Sequence, residues 1–436
     1  MKPEPKIHVG ILSSATIQIQ LNGSFAASNF KNYSGPHEIK LRNGAIQFDG
    51  NQYSELSFSP QHIDDNFDII DVVIGIGFHW ERKENQRFKG DLKIIIENNK
   101  LTAINRIDVE DYLTSVISSE MSATASNELL KAHAVISRSW LLHPLQDKKL
   151  CQSASTIEQT ESKFIKWYER DAHSHFDVCA DDHCQRYQGI TRATTLAVEK
   201  AIEATRGEVL MYDNSICDAR FSKSCGGISE TFENCWAPIN HPYLSKVIDN
   251  KKVDAEYKLE MTVELNAEKW IRNSPTAFCN TSDKKILAQV LNNYDQETTD
   301  FYRWKVVYTQ SEIYELIARK SGIDFGEIID LIPVLRGESG RLIELKIIGT
   351  KRTLTVGKEL EIRKWLSNSH LYSSAFVVDK INVVNDIPQQ FTLTGAGWGH
   401  GVGLCQIGAA VMGEKGYNYK EILLHYFSGA KLELIY

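Results

Sequence analysis

Hydrophobic and polar residues alternate in short runs over the first hundred residues of the chain. Segments such as IHVGIL, TIQIQL and DLKIIIEN place apolar side chains at about every second position, and Gly, Asn, Ser and Pro separate these runs. A period of two is typical of strands that bury one face. The pattern therefore predicts a β-rich region over residues 1–105.

The period changes at Asp108, where apolar residues begin to recur at helical spacing. VEDYLTSVISSEM and SNELLKAHAVISRSWLLH predict two helices joined by residues 122–125, with Ser126 or Asn127 as the N-cap of the second. TTLAVEKAIEATRG predicts a further helix that ends at Gly207. EVLMYD and CDARFSK then predict a strand pair.

Residues 253–385 have a pattern of their own. They combine the strand-like YKLEMTV and WKVVYT, the helical QSEIYELIARKSG and the hairpin-like RLIELKIIGTKRTLTVG. We interpret this stretch as a smaller α+β region inserted between residues 106–252, which carry the helices and a His/Cys-rich connection, and residues 386–436. The expected fold is α+β, with a mixed β-rich core, packed helices and a groove.

Composition narrows the class of protein. The chain has 436 residues, of which 42% are hydrophobic and 24% charged, and is long enough for about two or three domains. A net charge of -7 argues against a nucleic-acid partner. No run approaches the roughly 18 apolar residues of a membrane span, and the first thirty residues lack a signal-peptide core. Either the protein works in the cytoplasm or the chain is a mature form whose export signal has been removed.

Glycine occupies every second position from Gly395 to Gly403 and brackets Trp398 and His400. In an extended segment such glycines would expose one backbone face to a substrate strand. The simpler interpretation is a glycine-rich turn before the helical pattern that follows, with His400 as a loop histidine. No nucleotide-binding motif is present, since no register gives G-x-G-x-x-G and there is no P-loop.

One carboxyl could carry acid–base chemistry, and two nearby cations could assist it. Glu120 closes the first predicted helix beside apolar Met121, where its carboxyl is expected to be partly desolvated, as a general acid requires. Lys131 and Arg138 are seven residues apart on the next helix, so they lie within roughly 20° of each other on one face. They could orient substrate or the carboxyl of Glu120. The alternatives are a solvated helix-end carboxylate and two cations on a helix edge.

The segment DAHSHFDVCADDHCQRY places five possible zinc ligands within twelve residues: His173, His175, Cys179, His183 and Cys184. Thiolate and imidazole together suit zinc, and four of them would complete a tetrahedral site. The spacing is not that of a C-x-x-C finger, so a disulfide beside incidental histidines stays open.

Five segments in this order resemble the SpoIID/LytB family: VEDYLTSVISSEM, LLKAHAVISRSW, HCQRYQG, SKSCGGISE and GAGWGHGVGLCQIGAAVMGEKGYNYKEILLHYF. The resemblance implies a peptidoglycan lytic transglycosylase that cuts the MurNAc–GlcNAc bonds of denuded glycan strands to 1,6-anhydro-MurNAc ends. It implies Glu120 as the catalytic acid and base, assisted by Lys131 and Arg138. It also implies a zinc ion on His173, Cys179, His183 and Cys184, with His175 as a rival ligand. Four protein ligands would make that zinc structural.

The same motifs supply the expected substrate contacts, namely Gln185, Tyr187, Ser222, Ser224, Gly226, Gly227, Trp398, Gly399, His400, Gly401 and Gln406. The expected partners are peptidoglycan glycan strands and a cell-wall amidase, because some relatives are called amidase enhancers. The alternative function is a non-catalytic wall-binding protein that activates an N-acetylmuramoyl-L-alanine amidase. Either function implies an extracytoplasmic location, although the chain shows neither an export signal nor a membrane anchor.

Two departures from the family pattern stand out. Leu404 and Cys405 replace the Met-Ser that the family often has, and Ser122 follows Met121 where proline is usual. Cys405 and Cys225 both lie in predicted groove motifs, so a disulfide and free thiols are both open at this point.

Overall fold

The computed structural model describes residues 3–436 apart from 76–80, 123, 147–155, 169–172, 182–183, 192–194, 253–254 and 291–298. Strands and helices mix throughout, which confirms the expected α+β class. No helix in the described residues is long and apolar enough to cross a membrane.

The N-terminal quarter is a large, mainly antiparallel sheet, as the alternating pattern predicts. In β2 the apolar Ile17, Ile19 and Leu21 are buried, whereas the polar residues between them are at least partly exposed. The strand order is β1-β10-β9-β6-β2-β3-β4-β5, and β7 pairs with β2 and β8. The strands are β1 Lys6–Ser14, β2 Thr16–Ala27, β3 Asn32–Arg42, β4 Ala45–Phe48, β5 Asn51–Tyr53, β6 Leu56–Pro60, β7 Asn66–Ile74, β8 Arg82–Phe88, β9 Asp91–Glu97 and β10 Lys100–Asp108.

The two predicted helices follow β10 directly: α1 is Val109–Glu120 and α2 is Asn127–Gln146. The Ser126 hydroxyl accepts a hydrogen bond from the Leu129 N–H at 3.3 Å, which confirms one of the two N-caps considered for α2. Both helices bury their apolar faces in the main hydrophobic cluster, which also contains the inner face of the sheet. The start of α2 is thereby held close to the end of α1.

The connection after α2 first forms a strand pair that joins a strand near residue 355, and the chain then returns to this core. Its elements are β11 Ile157–Gln159, β12 Lys163–Lys166, β13 Val178–Cys179, α3 Leu196–Ala204, β14 Glu208–Tyr212, β15 Ser215–Ile216, β16 Phe221–Ser222 and α4 Phe232–Cys235. β13 joins the large sheet beside β1, in parallel. The predicted pairing of EVLMYD with CDARFSK is wrong, because β14 pairs with β15, whereas β16 pairs with a strand near residue 404.

From Trp304 onwards, the region up to residue 385 folds around a second hydrophobic cluster, whereas Leu287 and Val290 pack in the first one. The elements of residues 253–385 are α5 Glu264–Arg272, α6 Lys284–Val290, β17 Arg303–Thr309, α7 Gln310–Ser321, β18 Ile328–Arg336, β19 Leu342–Gly349, β20 Thr353–Gly357, α8 Glu359–Trp365 and β21 Phe376–Val384. The predicted α7 and the β19–β20 hairpin are confirmed. The predicted strand YKLEMTV is wrong. A 3-10 turn at Ala255–Lys258 replaces it, and Tyr257 and Met261 pack in one apolar cluster with Trp270.

The C-terminal segment returns to the first core. Its elements are β22 Ile387–Ala396, β23 Leu404–Cys405, α9 Gln406–Glu414, α10 Tyr419–Tyr426 and β24 Lys431–Leu434. β22 pairs with β17 and β21 of the inserted region, β23 pairs with β16, and β24 pairs with β14. Gly395 to Gly403 therefore link the inserted region to the core.

Candidate functional site

Glu120 is the last residue of α1, and its side chain is partly exposed. The helix ends there because Met121 adopts an extended conformation, with φ -111° and ψ 150°. Two residues later, the Ser122 N–H donates to the Gln289 carbonyl at 3.1 Å. The end of α1, which carries Glu120, thus lies close to the last described residues of α6.

Lys131 and Arg138 project from α2 towards different partners. Arg138 is fully buried and donates from Nε and Nη2 to the two carboxylate oxygens of Glu110, at 3.0 and 2.6 Å. Lys131 is partly exposed, pairs with Glu128 at 2.7 Å and lies 5.6 Å from the centre of the Tyr419 ring. Neither cation pairs with Glu120 in the described part of the chain.

Lys223 is a cation near this junction that the sequence analysis missed. Its Nζ donates to the Val290 carbonyl at 2.5 Å, next to the residue that Ser122 contacts. Burial, together with the charge of Lys223, lowers the pKa of His133 to about 3, so His133 is neutral at physiological pH. The sequence does indicate Lys223 as a candidate, because it lies between Ser222 and Ser224, which are both expected substrate contacts.

The alternating glycines do not form an extended edge, which corrects the first interpretation. Gly397, Gly399, Gly401 and Gly403 have φ between 71° and 94°, so the backbone turns through left-handed conformations. The buried Arg341 guanidinium fills the space where a Cβ of Gly401 would lie. The segment is therefore a glycine-rich turn, and other side-chain and backbone atoms of the protein occupy the space beside the glycines.

Trp398 is the partly exposed aromatic residue of this turn. Its ring centre lies 4.6 Å from that of Phe301 and 4.2 Å from that of Tyr372, and we call these three side chains the Trp398 platform. The turn is fixed to the core by two backbone hydrogen bonds between Trp398 and Ser224, at 2.8 and 3.0 Å. Arg341 adds a bond to the Gly399 carbonyl at 3.3 Å.

His400 has the surroundings of a loop histidine. Its Nδ1 accepts from the Val402 N–H at 3.0 Å, its ring packs edge-on against Trp236, and it forms a further hydrogen bond with the Phe221 backbone. Burial, with the nearby charge of Arg220, holds the pKa of His400 well below its usual range. The imidazole is consequently neutral.

Three of the expected substrate contacts lie inside the core. The Tyr187 hydroxyl donates to Asn105 Oδ1 at 2.6 Å, Gln185 accepts from Tyr112, and the Gln406 amide contacts His133. All three side chains are at most 3% exposed. A glycan therefore cannot reach them in this conformation.

The serine motif is buried as well. Ser224 is fully buried, and Ser222 is 6% exposed with a hydroxyl that has no hydrogen-bond partner in the described residues. Gly226 and Gly227 have φ of 76° and 106°. Gly226 packs against the backbone of the Trp398 turn, so this motif supports the turn from behind.

The His/Cys connection brings three of its four expected ligands together. The ligand atoms of His173, Cys179 and Cys184 lie within 4.8 Å of one another, and His173 Nε2 is 3.4 Å from Cys184 Sγ. His183 lies outside the described residues. His175 instead points towards Glu97, with Nε2 3.9 Å from a carboxylate oxygen, which favours His173 over its rival. Imidazole and two thiols fit zinc, and a separate buried Cys/Asp cluster could also bind a metal ion.

Comparison with known proteins agrees with the motif order. Residues 97–212, which include Glu120 and both cations of α2, match the family model described as Stage II sporulation protein. The chain therefore carries a domain of the Stage II sporulation protein family, which supports its assignment to the SpoIID/LytB group. Residues 230–403 match a model described as a domain of unknown function (DUF8618), which overlaps the inserted region and the Trp398 turn.

Individual relatives are distant. The chain is 26% identical over 345 residues to an uncharacterized protein of Brachyspira hyodysenteriae, covering 79% of this chain and 72% of that protein. It is 23% identical over 333 residues to Stage II sporulation protein D of Bacillus subtilis, covering 76% of each. It is 22% identical over 331 residues to the amidase enhancer of Bacillus subtilis, covering 73% of this chain and 40% of that protein.

Proposed function

We propose that this protein is an extracytoplasmic lytic transglycosylase that cleaves the MurNAc–GlcNAc bonds of denuded peptidoglycan strands with Glu120 as general acid and base. The observation that carries the proposal is the position of Glu120 within the segment matched by the Stage II sporulation family model, at an accessible helix end.

A single carboxyl is sufficient for this reaction. Glu120 would donate its proton to the glycosidic oxygen as the bond from C1 of MurNAc to that oxygen breaks. The resulting carboxylate would then accept the proton of the C6 hydroxyl of the same sugar as that oxygen bonds to C1. Water does not enter, so the second carboxylate that glycoside hydrolases use is not required.

The neighbouring cations receive different roles in this proposal. Lys223 and Lys131 are partly exposed and could meet anionic groups of MurNAc, Lys223 at the α6 contact and Lys131 beside α10. Arg138 is buried against Glu110 and acts as a positioning residue for α1. Trp398 and Tyr372, the two partly exposed rings of the Trp398 platform, offer an apolar surface on which a sugar ring can pack, and the buried Phe301 supports Trp398.

The test of the function is a product analysis. Purified protein is incubated with denuded glycan strands, and the new ends are identified by mass spectrometry. We expect 1,6-anhydro-MurNAc ends. Hydrolysed reducing ends, or no cleavage, would contradict the proposal.

The second candidate function is activation of a cell-wall amidase, favoured by the similarity to the amidase enhancer of Bacillus subtilis. It predicts glycan binding without new anhydro ends, together with faster release of stem peptides when an N-acetylmuramoyl-L-alanine amidase is added. Assaying both products in one reaction separates the two functions.

Removal of the Trp398 ring is expected to weaken binding to glycan about tenfold, because aromatic packing of this kind contributes about 1.4 kcal/mol. The measurement is titration of Trp398→Ala with denuded glycan fragments. Phe30→Ala is the control, since Phe30 is a fully exposed aromatic residue at the β2–β3 turn. If Trp398→Ala and wild type bound glycan with equal affinity, the Trp398 platform would not be part of the binding site.

We also propose that His173, Cys179, His183 and Cys184 hold a structural zinc ion, which would fix β13 to the edge of the large sheet. Cys184→Ser is then expected to lose one zinc ion per chain and to melt at a lower temperature. Free zinc at about 1,000 times its Kd stabilises a site by about 4 kcal/mol. Elemental analysis and thermal melting measure both effects, and a Cys179–Cys184 disulfide in the purified protein would refute the site.

A further inference from the structure

Three cysteines and an aspartate meet in the core beneath the Trp398 turn. The ligand atoms of Cys225, Asp249, Cys279 and Cys405 lie within 4.8 Å of one another, and all four residues are buried. They come from four separate places: the turn after β16, the loop before α5, the loop before α6, and the end of β23. We call this group the Cys3Asp cluster.

The spacing suits a tetrahedral metal site and not a disulfide. Cys225 Sγ and Cys279 Sγ are 3.8 Å apart. A disulfide requires about 2.05 Å, whereas two thiolates on one tetrahedral zinc, each at about 2.3 Å from the metal, are about 3.8 Å apart. Two thiols in van der Waals contact would be a similar distance apart. The groups around the sulfur atoms must therefore distinguish a metal site from a simple contact of thiols.

Those surroundings are arranged for negatively charged ligands. The Cys225 N–H points at Cys405 Sγ at 3.2 Å, and the Gly227 N–H points at Cys225 Sγ at 3.4 Å. Such N–H donors orient thiolates and stabilise their negative charge, as the hydrogen bonds around metal ligands do.

Asp249 shows the same arrangement. Its carboxylate accepts from the Cys279 N–H at 2.8 Å and from the Tyr426 hydroxyl at 2.6 Å. It is fully buried, and no lysine or arginine forms an ion pair with it among the residues that the structure describes. Burying a carboxylate beside three thiols costs free energy when only neutral groups donate to it. A divalent cation bound between these ligands would supply the positive charge that would balance it.

We propose that Cys225, Asp249, Cys279 and Cys405 bind a zinc ion, in a second metal site separate from the His/Cys connection. Four protein ligands leave no open position, so the ion is structural. It joins the loops before α5 and α6 to the turn that carries Ser224 and to the start of α9. Since Ser224 pairs with Trp398, the ion also supports the platform from below.

Burial argues against the other chemistry that three cysteines could perform. Each of these thiols is at most 3% exposed, so a glycan or peptide has no access to it as a nucleophile. Cys405 also replaces the serine that the family often has at this position, so the cluster distinguishes this chain from relatives with Met-Ser.

The experiment counts zinc in the full chain, produced with zinc in the medium and purified without chelator. We expect about two zinc ions per wild-type chain, about one for Cys405→Ser and about one for Cys184→Ser. Cys217→Ser is the control for the loss of a buried cysteine outside both clusters, and it is expected to keep about two. Wild type with the same zinc content as Cys405→Ser would overturn the proposal.

A second measurement avoids any change in the buried cluster. Cys184→Ser disrupts only the His/Cys connection, so X-ray absorption at the zinc edge of this variant reports the remaining site. We expect about three sulfur ligands near 2.3 Å and one oxygen ligand near 2.0 Å. A nitrogen-rich ligand set, zinc-free Cys184→Ser protein, or a disulfide among Cys225, Cys279 and Cys405 in non-reducing mass spectrometry would overturn the proposal. None of these results depends on glycan cleavage.

Discussion

Glu120→Gln is expected to lower the rate of anhydro-MurNAc formation by about 10²- to 10⁴-fold, the usual contribution of a positioned general acid and base. Glutamine keeps the size and hydrogen-bonding capacity of the side chain, but it has no proton to give to the glycosidic oxygen. The side chain lies at a partly exposed helix end. We therefore expect the unfolding free energy to change by less than about 1 kcal/mol.

The control is Asp111→Asn, which makes the same carboxylate-to-amide change at an exposed position of the same helix. It should leave cleavage unchanged. Product formation is followed by mass spectrometry of glycan ends, and folding by thermal melting. Full activity of Glu120→Gln would remove Glu120 as the acid. A protein that stimulates an amidase equally well with and without this substitution would support the alternative function.

The local elements could be predicted because their causes are local. Apolar residues at helical spacing, a serine cap at Ser126 and a glycine stop at Gly322 are contained within the segments that form α2 and α7. The predicted strand YKLEMTV is wrong because its structure depends on distant residues. Its apolar side chains pack in a cluster with Trp270, and the segment itself contains no sign of that cluster.

The glycine turn could not be predicted from its own residues. The spacing suggested an open backbone face, but Arg341 packs where a side chain of Gly401 would lie, and the ring of Trp304 does the same at Gly395. Both side chains come from the inserted region, about sixty and ninety residues earlier in the chain. Only the tertiary fold tells whether space beside a glycine belongs to a substrate or to the protein.

The cysteines show the same limit. Ligands close in sequence, such as Cys179 and Cys184, could be recognised from their spacing. The cysteines closest to Cys225 in sequence are Cys217 and Cys235, but its neighbours in space are Cys279 and Cys405. A metal site assembled from four distant segments leaves no local spacing signal.

The second large effect is expected from a substitution of Arg138, which holds a buried network together. Glu110 accepts two hydrogen bonds from Arg138 and one each from the Gly207 N–H and the Tyr436 hydroxyl, and this network joins the start of α1 to α2, β14 and the C-terminus. The helical angle between Lys131 and Arg138 follows from the sequence. The partner of Arg138 does not, because Glu110 lies on another helix.

Arg138→Met is expected to lower the unfolding free energy by about 3–5 kcal/mol, because it leaves the Glu110 carboxylate buried without its cation. Glu110→Gln combined with Arg138→Met should recover part of this loss, since both charges are then gone. Lys131→Met is the matched control seven residues earlier on α2. Its partly exposed pair with Glu128 should contribute less than about 1 kcal/mol. Denaturant unfolding measures all four proteins. If Arg138→Met unfolded like wild type but no longer cleaved glycan, Arg138 would act on the substrate and not through α1.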